Sequence, residues 1–427
     1  MEWLALGLFC GGLVACLLLD WSILCALLFG LLLFLLYGRR KGFSWPELMK
    51  MALDGVKTVK NILFTFLLIG VLTALWRAAG TIPVIVCYAA QLIRPSVFLL
   101  MTFLLNAGVS VLTGTSFGTA ATMGVITAAM GSVFGVAPIL TGGAVLSGAF
   151  FGDRCSPVST SALLVAELTK TGIFDNIRRM LKTALVPFLL SCAVYGLLGL
   201  LTPRGEGALD LTALFSREFS LSLWAVIPAL VILVLSLLKV NVKLAMAASI
   251  LSAVPLCLWL QGQTPLALLR LAILGYAAGD AEVSAMLSGG GVLSMVRVGA
   301  IVCLSSSYSV LFQRTGLLDS IRAAIGRLAR RTSPFFALLL TSVLAGMVAC
   351  NQSLTILLAH QLCRELHPDP SDMALDLEDT AVVVAPLVPW SIAGAVPLAA
   401  VGAPAAGALL ACYLYLLPVW RLIRGNK

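Results

Sequence analysis

The sequence contains little charge for its length. Of its 427 residues, 28 are Lys or Arg and 19 are Asp or Glu, so that 11% are charged, whereas about 25% is usual in soluble proteins. Hydrophobic residues make up 60% of the chain and the mean hydropathy is +1.05, which excludes a soluble fold. At about 20 residues per membrane-spanning helix, this composition supplies roughly ten to twelve spans. We therefore predict an all-α polytopic membrane protein in contact with the lipid bilayer.

Three further absences exclude other classes of protein. No two of the 11 cysteines lie within three residues of each other, and cysteines in apolar segments act as small hydrophobes, so neither disulfides nor a metal site is indicated. No basic patch interleaved with aromatic residues is present, so no nucleic-acid partner is expected. No Lys or Arg precedes the first apolar segment, which we interpret as a first span rather than a cleaved signal peptide. No cofactor is expected beyond a transported ion.

Ten apolar segments are each long enough for a helix across hydrocarbon and too long for core strands. They comprise residues 4–19, 23–37, 62–76, 97–112, 184–201, 221–238, 245–260, 298–312, 335–349 and 405–420. Basic residues mark the cytoplasmic side, and they concentrate at 39–60, 170–182, 314–331 and 421–427. The turn after the first segment contains only Asp20. We therefore predict a multi-pass protein of the cell (inner) membrane with both termini cytoplasmic.

A weak internal repeat occurs at an offset near 236 residues. Residues 76–81 resemble 312–317, residues 114–117 resemble 351–354, and residues 156–159 resemble 388–391. The stretch 76–95 contains two basic residues and the matching stretch 312–334 contains five, which indicates that the copies are inverted in the membrane. Residues 1–203 and 219–427 are the predicted repeats, with an external linker at 204–218. Short amphipathic helices are expected after Pro46 and Pro265, over residues 47–53 and 266–274.

Each predicted repeat has a re-entrant hairpin and a discontinuous helix, both interrupted by small and polar residues. Non-helical backbone at membrane depth is tolerated only where it is buried or lines a cavity, and in inverted-repeat transporters it forms the ion and substrate site. The candidate site residues are Thr115, Ser116 and Thr119 at the first hairpin tip; Asp153, Ser156, Pro157, Ser159, Thr160 and Ser161 in the first broken helix; Asn351, Gln352 and Ser353 at the second tip; and Pro389 and Ser391 in the second broken helix.

Asp153 is the strongest candidate for a Na⁺ ligand. A carboxylate near the bilayer centre costs about 2.5–3.5 kcal/mol on insertion scales, so it requires a function or a partner. The alternative is that Asp153 pairs with Arg154 or caps the broken helix. The surrounding hydroxyls supply oxygen ligands suited to Na⁺, although such groups also bond the carbonyls of their own helix. Glu378 and Asp379 are interpreted as acidic residues at the start of the second broken helix, where they would favour its N-terminus.

One motif argues for an enzyme. Residues 114–118 spell G-x-S-x-G, the nucleophile-elbow pattern, and His360 could complete an intramembrane serine hydrolase. The elbow requires a strand–turn–helix context, which the apolar segments do not predict. Ser116 also has a counterpart in the second copy, Ser353, which favours a symmetric ligand site. A transporter is therefore preferred, with an exchanger of organic solutes or a channel as further alternatives.

Three segments resemble signatures of the NhaC family of sodium/proton antiporters: residues 114–119, 148–157 and 378–391. The likeness runs over most of the chain, and the motif at 148–157 is the most specific. It implies antiport of Na⁺ against H⁺, inverted repeats with paired re-entrant hairpins, and a homodimer, and it extends to relatives that exchange a small organic anion or an amino acid. The chain departs from the usual family pattern at Thr160 and Asn351, where the family has Asp. These departures leave Asp153 as the main charged group of the site.

Overall fold

The computed structural model describes residues 2–18, 21–157, 159–201, 211–238, 240–316, 332–366 and 368–425. These residues fold almost entirely into helices, and an isolated bridge between Tyr276 and Gly289 is the extent of their β structure. In the first half the helices are α1 (Glu2–Leu18), α2 (Ile23–Arg40), α3 (Trp45–Thr58), α4 (Lys60–Ala78), α5 (Thr81–Leu92), α6 (Phe98–Thr113), α7 (Ser116–Val133), α8 (Pro138–Cys155), α9 (Thr160–Thr169) and α10 (Ile173–Leu201).

The second half continues the helical chain. Its helices are α11 (Leu211–Phe215), α12 (Ile227–Leu237), α13 (Val242–Leu260), α14 (Pro265–Leu274), α15 (Ala281–Leu287), α16 (Val296–Thr315), α17 (Pro334–Ala349), α18 (Gln352–Cys363), α19 (Pro370–Asp379), α20 (Ala381–Val384), α21 (Ile392–Ala400) and α22 (Cys412–Arg424). Of the predicted linker, residues 204–210 lie outside the described residues and residues 211–215 form α11. Most of the basic cluster 314–331 also lies outside them.

Six of the described helices are long and apolar enough to cross a membrane. A seventh span results if Pro370–Leu387 and Ile392–Ala400, which meet at a bend of 57°, are one broken helix. This count is below the expected ten to twelve, in part because some apolar segments fold as half-length helices such as Thr160–Thr169 and Pro334–Met347. The molecule is a polytopic helical membrane protein.

Capping residues and proline set the start of two short helices. Ser44 accepts a hydrogen bond from the backbone N–H of Glu47, and the Glu47 side chain bonds back to Ser44, which closes a capping box on α3. Thr264 caps α14, and Pro265 occupies its first position, where no N–H donor is required. Helices are therefore present at both predicted places, and α3 is longer than residues 47–53.

The segment 405–420 was expected as one helix and is broken instead. Residues Ala405–Leu410 form a 3-10 turn, and α22 begins only at Cys412. The buried Tyr195 hydroxyl donates to the carbonyl of Leu410 at 2.8 Å and accepts from the backbone N–H of Cys412 at 3.2 Å. This side chain therefore satisfies backbone groups that the break leaves without helical partners.

A close contact between α6 and α8 supports the candidate site. Gly148 and Gly152 lie one turn apart on α8, and a methyl group on either would overlap α6. The Ser110 hydroxyl of α6 donates to a backbone carbonyl of α8 across this contact. Small residues at this spacing are the usual device by which membrane helices approach closely. The contact fixes the last turn of α8, which carries Asp153 and Arg154.

Candidate functional site

The two predicted hairpin tips have the same backbone conformation. After α6, Gly114 is left-handed with φ 65° and Thr115 is extended with φ −147°. After α17, Cys350 is left-handed with φ 55° and Asn351 is extended with φ −147°. Each extended residue caps the helix that follows it. The left-handed region favours glycine, so a cysteine there is unusual and indicates that the surrounding structure holds the backbone in this conformation.

This geometry shifts one predicted correspondence by a single residue. The sequence pairs Ser116 with Ser353, whereas the backbone places Ser116 and Gln352 at the equivalent first positions of α7 and α18. Both equivalent residues reach Asp153. Ser116 donates through its backbone N–H, and Gln352 donates through its side-chain amide. The two tips therefore meet at one carboxylate.

Asp153 lies in the last turn of α8 and is 3% exposed. The Ser159 hydroxyl donates to Oδ1 at 3.2 Å, and the Ser161 hydroxyl donates to Oδ2 at 3.0 Å. Nε2 of Gln352 also donates to Oδ2, at 3.1 Å. Together with the Ser116 amide, these groups bring four donors to the carboxylate from α7, α18 and the start of α9.

The same groups can hold a cation. Ser116, Ser159 and Gln352 all lie at helix N-termini, whose partial positive charge stabilises the ionised carboxylate. A hydroxyl both donates and accepts, so Ser159 and Ser161 can turn lone pairs toward an ion that approaches Asp153. Gln352 carries an amide oxygen beside its NH₂ group. Carboxylate, hydroxyl and carbonyl oxygens are the ligands that transporters offer to Na⁺.

Other predicted residues shape the tips and breaks. The Thr119 hydroxyl donates to the Thr115 carbonyl at 2.8 Å within the first tip. Ser391 caps α21, and the next backbone N–H, at residue 392, donates to the Cys350 carbonyl at 2.9 Å, which joins the second break to the second tip. Pro389 lines an apolar cavity. Ser156 is buried, whereas Pro157, Thr160 and Ser353 are exposed.

A second cluster of buried charges adjoins Asp153. Arg154 is fully buried and forms an ion pair with Asp379. Its guanidinium also donates to the Thr183 hydroxyl at 2.9 Å and to the Glu378 carbonyl at 3.2 Å. The alternative in which Arg154 neutralises Asp153 is therefore wrong, because this guanidinium is committed to the other carboxylate.

Arg421 provides a second cation to the same cluster. Its Nε lies 2.9 Å from Oδ2 of Asp379, and its terminal nitrogen pairs with Asp376. The Arg421 side chain is 10% exposed, although its place in the basic C-terminal tail predicted a cytoplasmic surface residue. Asp379 thus lies between two guanidinium groups, on α8 and on α22.

Glu378 and Asp379 end a helix instead of beginning one. Asp369 caps α19 and Pro370 is its first residue, which places both acidic residues in the last turn. The interpretation as a helix N-terminus was therefore wrong, and the Asp369-Pro370 pair was the signal that could have corrected it. Glu378 is fully buried, and neither of its carboxylate oxygens has a hydrogen-bond partner among the described residues.

The serine of the G-x-S-x-G motif lies in a helical setting. Ser116 follows α6 through the two-residue tip, whereas a nucleophile elbow places the serine directly after a strand. His360 lies on α18, near the end opposite the tip. The local structure at Ser116 therefore fits a ligand site better than a hydrolase.

Two cavities lie near the candidate site. The first, of about 380 Å³, is lined by polar and apolar side chains, among them Asn351 and Ser353 of the second tip. The second, of about 390 Å³, borders the ion pairs of the charged cluster; its lining includes Arg179, Lys182, Thr183, Asp372, Asp376, Arg421 and Arg424. The charged cluster thus has a route for water, whereas none of the described residues that line the first cavity bonds Asp153.

Comparison with known proteins gives consistent results. The chain matches the Na⁺/H⁺ antiporter family over residues 3–170 and 148–420. It is 27% identical over 406 residues to the Na⁺/H⁺ antiporter NhaC of Alkalihalophilus pseudofirmus, covering 92% of this chain and 88% of that protein. It is 27% identical over 387 residues to the malate-2H⁺/Na⁺-lactate antiporter of Bacillus subtilis, covering 87% and 82%. It is 26% identical over 379 residues to the arginine/ornithine antiporter ArcD of Halobacterium salinarum, covering 85% and 78%.

Proposed function

The chain belongs to the Na⁺/H⁺ antiporter family, and from that premise we propose that it exchanges Na⁺ for H⁺ across the cell membrane with Asp153 as the cation-binding carboxylate. The observation that carries this proposal is a buried carboxylate surrounded by hydroxyl and amide groups. Within the described part of the chain, no basic side chain forms an ion pair with Asp153, since Arg154 is paired elsewhere. A cation or a proton is therefore needed to neutralise it.

The exchange follows from competition for one group. When Asp153 is ionised, Na⁺ binds to it, and oxygens of Ser159, Ser161 and Gln352 replace part of the hydration shell. When Asp153 takes up a proton, the attraction for Na⁺ is lost and the ion leaves. Because the carboxylate holds either a proton or Na⁺, one ion moves against the other. A membrane potential of 100 mV contributes about 2.3 kcal/mol per net charge moved.

The two cavities differ in the solute that they suit. Among the described residues that line the cavity at Asn351 and Ser353, the polar ones are Thr58, Ser306, Asn351 and Ser353, and the others are apolar. A carboxylate solute needs basic groups to bind it; this lining supplies none, whereas the cavity at the charged cluster carries Arg179, Lys182, Arg421 and Arg424. An exchanger of organic solutes is therefore kept as an outcome of the test, and the donors around Asp153 carry the proposal of an inorganic ion.

The proposed architecture has two inverted repeats, residues 1–203 and 219–427, joined by an external linker at 204–218. Each repeat contributes a re-entrant hairpin and a broken helix to the site, and both termini are cytoplasmic. The matched left-handed and extended residues at the two tips support this arrangement. We also expect a homodimer, as the NhaC resemblance implies.

The proposal is tested with Asp153→Asn in reconstituted vesicles. Wild-type protein should release or take up protons when Na⁺ is added, and the variant should show none of this flux because its amide binds neither ion in exchange. Asp175→Asn is the matched control, since Asp175 is exposed at the start of α10, and it should transport normally.

Three results would contradict this assignment. Undiminished exchange in Asp153→Asn would remove the carboxylate from the site. Proton flux in response to malate, lactate or arginine, with no response to Na⁺, would select an organic-solute exchanger. Flux of Na⁺ that needs no counter-ion would indicate a channel.

A further inference from the structure

We propose that Glu378 is a second proton-binding carboxylate of the transport cycle, so that two protons are exchanged for each Na⁺. This inference rests on the proposed function of Asp153. It adds a residue that was not among the candidate site residues and fixes the charge moved in each cycle.

Burial without partners is the first observation. Glu378 is 0% exposed, and both of its carboxylate oxygens lack hydrogen-bond partners within the described ranges. An ionised carboxylate in that state has lost its hydration and gained nothing in return, which is among the most costly arrangements in a protein interior. A carboxyl group that has taken up a proton avoids most of this cost. The residue is therefore neutral until a positive charge arrives nearby.

Glu378 lies in the last turn of α19, and α20 follows directly after Thr380. Asp379 lies in the same turn, and its negative charge is compensated by ion pairs with Arg154 and Arg421. These two neighbouring carboxylates therefore differ: Asp379 forms ion pairs with two cations, whereas Glu378 forms none among the described residues and interacts with Arg154 only at longer range.

Arg154 is the cation that contacts Glu378, but its N–H donors bond other groups and not the Glu378 carboxylate. Nε donates to the backbone carbonyl of Glu378, and the terminal nitrogens donate to Asp379, Thr183 and the Tyr413 hydroxyl. The charged and titratable groups in and beside this cluster are Asp153, Arg154 and Cys155 on α8; Arg179 and Lys182 on α10; Asp372, Asp376 and Asp379 on α19; and Tyr413, Arg421 and Arg424 on α22. The carboxyl of Glu378 is the buried acid among them that lacks both a cation and a hydrogen bond.

Asp153 and Glu378 lie in one region of the protein, because Arg154, the chain neighbour of Asp153, bonds the backbone carbonyl of Glu378 at 3.2 Å. In the empty site each carboxyl carries a proton. When Na⁺ binds at Asp153, the O–H bond of that carboxyl breaks, and the positive ion also makes ionisation of Glu378 favourable. The second O–H bond then breaks, so that two protons leave for one Na⁺ that enters. The net charge of the site falls by one, and the membrane potential acts on the exchange.

A polar cavity lies on the side of the charged cluster that adjoins Glu378. The cavity, of about 390 Å³, is lined by residues that include Thr183, Asp376 and Arg421. Thr183 and Arg421 both contact Asp379, which is the chain neighbour of Glu378. The cavity therefore reaches the charged cluster one residue away from Glu378.

The number of protons per Na⁺ is measured in vesicles with the potential clamped at zero. A tenfold Na⁺ gradient is balanced by about half a pH unit if two protons move and by about one pH unit if one proton moves. Wild-type protein should show zero net proton flux at half a pH unit. Glu378→Gln, which keeps Asp153, should still exchange and should balance at one pH unit.

Controls separate this inference from the proposed function. Glu167→Gln makes the same change at an exposed position on α9 and should balance as the wild type does. Balance of the wild type at one pH unit would overturn the role of Glu378 while leaving exchange at Asp153 intact, even if Glu378→Gln did not fold. An unchanged balance point in Glu378→Gln would overturn it as well. Absence of Na⁺-dependent proton flux in the wild type would instead contradict the proposed function.

Discussion

Glu378 and Asp379 are neighbours in the chain and equally buried, yet their electrostatic surroundings are opposite. Asp379 belongs to a compensated cluster, formed by Arg154, Asp376, Asp379 and Arg421, in which each acid has a guanidinium partner. Glu378 and Asp153 form an uncompensated pair, in which neither acid has an ion-pair partner among the described residues. The cluster can hold its charge permanently, whereas the pair must acquire positive charge from outside. We infer that the cluster stabilises the structure and that the pair performs the exchange.

Arg154→Ala should break the compensated cluster and have the largest effect. It leaves Asp379 with one of its two cations and removes the hydrogen bonds that join α8 to α10 and α19. Removal of one partner from a buried ion pair costs about 3–5 kcal/mol. The thermal unfolding temperature in detergent should therefore fall strongly.

The control for this prediction is Arg179→Ala. Arg179 pairs with Asp372 at the surface, where the side chains are 35% and 53% exposed, and such pairs contribute about 0–1 kcal/mol. Equal stability of the two variants would show that the compensated cluster has no structural role.

Asp379→Asn and Glu378→Gln test the two sides of the comparison directly. Asp379→Asn removes the charge between two buried guanidinium groups and should lower the free energy of unfolding by about 3 kcal/mol. Glu378→Gln replaces an acid that has no cation, so the unfolding temperature should stay the same or rise. The two variants can be measured side by side in the same detergent. A larger loss of stability in Glu378→Gln would reverse the assignment of the two acids.

Gly152→Ala tests whether the cluster and the pair depend on one helix contact. A methyl group at this position meets the backbone of α6, and the strain should cost about 1–3 kcal/mol. Asp153 and Arg154 directly follow Gly152 in the chain, so both the free energy of unfolding and the rate of exchange should fall. Gly108→Ala on α6 has open space around the new methyl group and should leave both unchanged. Normal exchange in Gly152→Ala would show that the close approach of α6 and α8 does not position the site.

The sequence was sufficient for those features that depend on local chemistry. Apolar length and sparse charge predict the helical membrane fold, and the Ser156–Pro157 and Val388–Pro389 breaks are where the helices are interrupted. The partners of Arg154 could not be predicted, because α8, α19 and α22 meet through contacts between residues more than 200 positions apart. Asp153, its chain neighbour, was the partner considered as an alternative, whereas helix packing placed Asp379 there.

Sequence similarity between the copies was also too weak to fix the register of the tips. Ser116 and Ser353 share a residue type, which suggested that they correspond. The left-handed residues Gly114 and Cys350 instead align Ser116 with Gln352, and a cysteine in that conformation gives no signal of the kind that glycine gives. Gln352 was nevertheless among the predicted residues, and its amide contacts Asp153.

Ser161→Ala should have the smallest effect, and it concerns the uncompensated pair alone. Ser161 donates to Oδ2 of Asp153 and is 4% exposed, whereas its neighbour Thr160 is exposed. Loss of a hydrogen bond to a charged group costs about 1.5 kcal/mol, which corresponds to about a tenfold rise in the Na⁺ concentration for half-maximal exchange. Thr160→Ala should leave this concentration unchanged, and neither variant should alter the unfolding temperature by more than a few degrees. A similar response from both would mean that the hydroxyl of Ser161 orients no ion at Asp153, and that the carboxylate binds Na⁺ through other groups.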